Sequence, residues 1–148
     1  MISIDTNILL PAVESRNPDH GRAAGFLESL QDRDDVVICE LILLELYALL
    51  RNPVVLAKPL VASAAVDVCE SFRHHPRWQV IGLPSDQRAL HDIFWPRLRD
   101  KAMPHRRAFD WRAALAMLQQ GVTEFATVNI KDFADFGFRR VWNPLHGR

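Results

Sequence analysis

The sequence predicts an α/β fold, an α/β/α sandwich whose central, mostly parallel sheet has four to five strands flanked by helices. Short β-branched runs alternate along the chain with longer stretches of helical periodicity. Strands separated by helices imply right-handed crossovers and a sheet covered on both faces. The 148 residues suit one domain, read as residues 1–148, with enough chain to bury a real core.

The elements follow in order. Ile2-Ser3-Ile4 opens as a short strand, and Asp5-Thr6-Asn7 after it suits a helix start. Ala23, Phe26, Leu27 and Leu30 share one helix face, and Val36-Val37-Ile38 forms a second strand. Residues 40–51 read as a buried helix, apolar almost all round and ended by Asn52-Pro53. Val61, Ala65, Val68, Cys69 and Phe72 mark another helix between Pro59 and Pro76. Trp78 to Ile81 is a third strand. A helix capped by Ser85 or Asp86 then carries Leu90, Ile93, Phe94 and Leu98, with a kink expected at Pro96. A last long helix runs from about Arg106 to Gln120 and stops at Gly121. Phe125 to Val128 is a fourth strand and Arg140-Val141-Trp142 a fifth.

Composition narrows the function. Hydrophobic residues at 49% and charged residues at 24% exclude a disordered or low-complexity chain. Eighteen basic residues balance eighteen acidic ones, so any nucleic-acid contact must come from a local patch. No apolar run approaches the ~18 residues of a membrane span, and Met1-Ile2-Ser3-Ile4-Asp5 does not read as a secretory signal. Cys39 and Cys69 lie in apolar surroundings without metal-ligand spacing; they read as small buried thiols of a cytoplasmic protein. The six histidines are scattered, which excludes a zinc pattern.

Three carboxylates stand where charge is costly. Asp5 directly follows the first strand, where it either caps a helix or faces a ligand site. Glu45 interrupts a helix whose other faces carry Leu41, Ile42, Leu43, Leu44, Leu46, Leu49 and Leu50, so it needs a partner charge, a metal or a shifted pKa, with an ordinary surface glutamate as the competing explanation. Asp110 heads a stripe continued by Ala113, Ala114, Met117 and Leu118, where dipole stabilisation is the competing explanation. Glu40 sits at a helix start and reads as structural. If the three acids meet at one sheet edge, their repulsion is relieved by a hard divalent cation, and all-oxygen ligation suits Mg²⁺ or Mn²⁺.

Ile4 to Leu9, Cys39 to Tyr47, Phe109-Asp110 with Gly121-Val122-Thr123, and Ala126 to Phe133 together resemble a PIN domain, more closely the VapC-type toxins of toxin–antitoxin pairs. The resemblance implies a metal-dependent endoribonuclease of PIN-like α/β/α architecture. It matches Asp5, Glu45 and Asp110 to the metal-binding acids and Thr127 to the polar residue ending the fourth strand. Many members carry a further acid where this chain has Asn129, which offers a carbonyl oxygen but no charge. Asp132 either compensates or serves as a turn acid. Thr6 and Asn7 are expected to orient the ligands. The resemblance further implies in-line attack by water leaving a 5′-phosphate and a 3′-hydroxyl, a homodimer, and a cognate antitoxin.

Positive charge gathers around Asp110. Arg99, Lys101, Arg106, Arg107 and Arg112 are candidates for binding RNA or antitoxin, against the alternative of a solvated face. Trp111 reads as a core or dimer residue before a base-stacking one, and Phe94 and Trp95 as packing residues. Asn129 keeps open a second class, a catalytically weak PIN module that binds RNA or protein. A haloacid-dehalogenase-like phosphatase is set aside, because Asn7 stands where that chemistry needs a second acid and no Gly-rich phosphate loop is present.

Overall fold

A computed structural model describes residues 1–146. Five strands, β1 (Ile2–Ile4), β2 (Val36–Cys39), β3 (Gln79–Ile81), β4 (Glu124–Ala126) and β5 (Arg140–Trp142), form one sheet in the order β3-β2-β1-β4-β5. Every neighbouring pair is parallel. The helices are α1 (Thr6–Val13), α2 (His20–Leu30), α3 (Glu40–Leu50), α4 (Ala62–Arg73), α5 (Gln87–Arg97), α6 (Arg107–Gln119) and α7 (Ile130–Phe133).

The central strands are buried on both faces, which is why β2 reads as an unbroken apolar run, while β1 buries Ser3 between Ile2 and Ile4. Ala23 and Leu30 of α2, and Ala65 and Phe72 of α4, are buried as their spacing requires. Asp86 caps α5 by accepting from the Ala89 N–H at 2.9 Å. Pro96 falls at the penultimate position, so it ends α5 where an interior kink was expected. Gly121 follows α6 with φ +90°, a conformation that favours glycine. Cys39 is buried and Cys69 half-buried, and desolvation raises both thiol pKa values.

Three expectations of burial are corrected. Helix α3 is not enclosed: Leu44 is 68% exposed, and Glu45 and Ala48 also face outward. Ile93 on α5 is 52% exposed although it shares the periodic stripe with Leu90 and Phe94. Trp95 is 62% exposed, so it is not a packing residue, whereas Phe94 is buried.

The topology singles out one place for chemistry. From β1 the chain steps to β2 and outward to β3, then returns to β4 on the other side of β1. The carboxyl ends of β1 and β4 therefore flank the point where strand order reverses, where open α/β sheets bind ligands. Ile4 pairs with Ala126 in the parallel register, so Asp5 and Thr127 emerge side by side. The Asp5 N–H donates to the Ala126 carbonyl at 2.9 Å and holds that register to the last residue.

Candidate active site

Asp5 caps a helix, as its position allowed, and also reaches across to the end of β4. As the N-cap of α1 its Oδ1 accepts from the Thr6 N–H at 2.7 Å. Its Oδ2 accepts from the Thr127 hydroxyl at 2.5 Å. That hydroxyl also accepts from Asn7 Nδ2 at 3.1 Å and from the Asn129 N–H at 3.0 Å. With both lone pairs engaged, its single proton is directed at Asp5. Asn7 is itself fixed, its Oδ1 accepting from the Val128 N–H at 3.1 Å. Thr6, Asn7 and Thr127 thus lock one carboxylate between α1 and the end of β4.

Glu45 arrives from α3, its Oε2 accepting from Thr6 Oγ1 at 3.0 Å. The same hydroxyl lies 3.3 Å from the Ile42 carbonyl, so the shorter contact to the carboxylate is the better acceptor for its one proton. The sequence explained Glu45 by burial, but its position is fixed by Thr6 at the mouth of an exposed helix face. Asp110, half-buried in the first turn of α6, completes the group.

The three acids feel one another. Burial lifts the Asp5 pKa from 3.8 to about 7, with the charges of Glu45 and Asp110 adding to the effect against the Thr127 and Thr6 hydrogen bonds. Asp110 rises from 3.8 to about 6, first through burial, then through Glu45 and Asp132, partly offset by Arg107. None of the ion pairs among the described residues includes Asp5, Glu45 or Asp110. An oxygen-only, anionic site of this kind fits a hard divalent cation. Among the described residues no three His, Cys, Asp or Glu side chains are grouped tightly enough to hold an ion unaided. Mg²⁺ commonly retains several waters and takes only one or two carboxylates directly, so the donor set remains compatible with it.

The fourth position divides between two residues. The Asn129 side chain is exposed and caps nothing, while its backbone N–H serves Thr127. Asp132, half-buried in the first turn of α7, lies close enough to raise the Asp110 pKa. Helix α7 is short and was not foreseen, yet it turns Asp132 back toward the other acids.

The basic cluster separates by partner. Arg107 donates to Asp135 Oδ1 at 2.7 Å and to the Asp132 carbonyl at 2.6 Å, and its guanidinium lies 4.7 Å from the Phe136 ring centroid. Its charge is engaged within the fold, tying α6 to α7. Arg112 is half-buried with Nε unpartnered, and its i,i+2 spacing places it on the opposite side of α6 from Asp110. Arg99, Lys101 and Arg106 are exposed and make no ion pair among the described residues. Arg99 borders a cleft of about 350 Å³ with Trp95, Pro96 and Leu98, which none of the carboxylates lines. Trp111 is a core residue, 5% exposed, donating from Nε1 to the Phe94 carbonyl at 3.3 Å. Glu40 pairs with Arg73 at 2.8 Å, the structural role its position indicated.

Residues 2–89 match the PIN domain family. The chain belongs to it. Over 145 residues it is also 46% identical to Ribonuclease VapC24 of Mycobacterium tuberculosis, covering 98% of this chain and 97% of that protein. The family match contains Asp5 and Glu45, and the longer similarity takes in Asp110 as well. Among solved structures, the PIN domain resembles Mycobacterium tuberculosis VapC20, described as a sarcin-ricin loop cleaving toxin. That likeness has TM-score 0.67 at 18% identity and covers 90% of this chain and 94% of the other. VapBC2 of Rickettsia felis, solved on a promoter DNA fragment, gives TM-score 0.67 at 19% identity over 97% and 98% of the two chains. FitAcB of Neisseria gonorrhoeae gives TM-score 0.66 at 20% identity over 99% and 100%. At such identities the structural likeness concerns the fold. The expected PIN-like α/β/α architecture is the one observed.

Proposed function

We propose that this PIN domain is a Mg²⁺- or Mn²⁺-dependent endoribonuclease, the toxin of a toxin–antitoxin pair. What supports it most is that Asp5, Glu45 and Asp110, from three separate elements, lie close enough for the charges of Glu45 and Asp110 to raise the Asp5 pKa beside the topological switch point. The 46% identity to a VapC ribonuclease gives the reaction class.

Asp5 and Asp110, with Glu45, are the residues that would hold the ion. A divalent cation, when bound, supplies Lewis acidity toward the scissile phosphodiester and the attacking water. Thr127 keeps Asp5 Oδ2 oriented, Thr6 does the same for Glu45, and Asn7 fixes Thr127. Asp132 adds the fourth negative charge that Asn129 lacks, and the Asn129 side chain remains free to orient water or substrate. In-line attack leaves a 5′-phosphate and a 3′-hydroxyl. Exposed Arg99, Lys101 and Arg106 position the phosphates without reading sequence.

The partners are RNA, a cognate antitoxin and a second copy of the chain. Leu44, Val61, Val66, Ile93 and Trp95, all exposed on α3, α4 and α5 or just before α4, supply apolar surface for assembly. The antitoxin reading draws on the VapBC2 and FitAcB relatives. Free Cys39 and Cys69 fit a reducing cytoplasm, and no helix among the described residues is long and apolar enough to cross a membrane.

The deciding experiment incubates purified protein with total RNA and Mn²⁺, with and without chelator. Metal-dependent cuts bearing 5′-phosphates support the reading. RNA that stays intact under all metals favours the second reading, a PIN module that binds RNA or protein, for which Asn129 is the supporting feature.

A further inference from the structure

Resting on the nuclease reading, we propose that Phe109 is a stacking platform for one unpaired base of the substrate RNA, with Arg106 on the adjoining phosphate. Trp111, the aromatic that sequence alone offered for this task, is enclosed in the core. Phe109 is 80% exposed and makes no aromatic contact among the described residues. It sits in the first turn of α6, directly before Asp110.

Helical geometry then fixes its neighbours. Arg106, Phe109, Asp110 and Ala113 follow the i, i+3, i+4, i+7 spacing of one helix face. Arg106 and Phe109 therefore lie one turn apart on the exposed side of α6, Phe109 immediately before Asp110, while half-buried Ala113 packs against the core. Arg106 is exposed and makes no ion pair among the described residues, unlike Arg107, which is committed to Asp135. A free cation next to a bare aromatic ring is the arrangement by which single-stranded nucleic acid is gripped, phosphate on one and base on the other.

The charge of the site explains the need for it. Asp5, Glu45, Asp110 and Asp132 repel a polyanion, and a chain of formal net charge +0 has no global field to offset that. Stacking holds a base without depending on charge, so it keeps the strand beside the acids. An acidic or apolar protein segment would use Arg106 or Phe109 separately; a nucleotide uses both at once.

The test measures equilibrium binding of a fluorescein-labelled single-stranded RNA dodecamer in chelator, where no cutting occurs. Phe109→Ala should weaken binding about tenfold, the loss of one stacked base. Phe109→Trp should retain affinity, and Phe109→Leu, apolar but without a π face, should behave like the alanine variant. An abasic residue scanned along the dodecamer should weaken wild-type binding at one position and have no such effect on Phe109→Ala. Wild-type affinity in Phe109→Ala, or full rescue by leucine, overturns the platform while leaving the nuclease reading intact. If those RNA results come with lost antitoxin binding, the ring is a protein contact instead. Failure of the wild-type chain to bind or cut any RNA contradicts both readings.

Discussion

Thr127 Oγ1 donates to Asp5 Oδ2 at 2.5 Å, joining residues 122 positions apart. Because Asn7 and the Asn129 backbone occupy its lone pairs, the hydroxyl cannot turn away. A polar side chain at the end of β4 thus sets the orientation of a carboxylate at the end of β1.

Thr127→Val keeps the shape and removes that donor. The buried partners then lose hydrogen bonds, which costs about 1–3 kcal/mol of stability. Loss of a group that orients a ligand should also weaken Mn²⁺ binding by roughly 10–100-fold. Calorimetric titration and thermal melting check both effects. Unchanged affinity would mean that Asp5 needs no such support.

Thr6 performs the matching task for Glu45. Thr6→Val should lower RNA cleavage with little loss of the fold, while Thr6→Ser, which keeps the hydroxyl, should restore it. Activity that survives in the valine variant would detach Glu45 from the chemistry.

Asp132 should matter more than Asn129. In chelator, Asp132→Asn should lower the Asp110 pKa from its value of about 6, because Asp132 is one of the charges that raises it. Carboxyl resonances in an NMR titration report that shift directly. The same variant should cut RNA more slowly than Asn129→Ala, and Asn129→Asp should raise metal affinity. Equal titration of Asp110 in wild type and Asp132→Asn would return Asp132 to a turn role.

Stability should depend on pH in a direction that metal reverses. Asp5 titrates near 7 in the folded chain against 3.8 ordinarily, so between those values the folded state holds a proton the unfolded state has lost. Stability of the metal-free protein therefore falls as pH rises from about 4 to about 7, by up to about 4 kcal/mol from this group. Mn²⁺ should flatten the slope by favouring the ionised form, and Asp5→Asn should remove the Asp5 share, leaving the smaller slope that Asp110 adds up to about pH 6. Melting temperatures measured in chelator and in Mn²⁺ across this range would show it; a stability that climbs with pH in chelator contradicts the burial of Asp5.

The two nearby arginines should part company. Arg107→Ala removes the donor to the Asp132 carbonyl and one of the two arginines on Asp135, which keeps Arg97, and should cost about 1 kcal/mol. Arg106→Ala should change stability by less than about 0.5 kcal/mol and weaken RNA binding instead. Chemical denaturation with parallel binding assays separates them.

Much of this architecture was legible because buried parallel strands leave an apolar trace: Val36-Val37-Ile38 could be little else. Asp5 was legible for a related reason, since it directly follows such a strand, whereas Thr127 stood out only through the family resemblance. Glu45 became a candidate on an argument of burial that the structure corrects, since its side chain is exposed. A helix apolar on all sides looks the same in sequence whether its own chain covers it or leaves Leu44 in the open. Helix α7 was missed because four residues carry no periodicity, and the commitment of Arg107 to Asp135 depends on that turn. Helix α1 was seen only at its cap, because Pro11 interrupts the pattern that would have marked its length.

The central claim is that carboxylates from β1, α3 and α6 share one hard cation. Titrating Mn²⁺ into the wild-type chain and into Asp5→Asn, Glu45→Gln and Asp110→Asn, each verified as folded, tests it without any RNA present. A wild-type site weakened by every one of the three substitutions is the predicted result. No specific Mn²⁺ binding by the wild type, or substitutions that leave it untouched, would contradict the account.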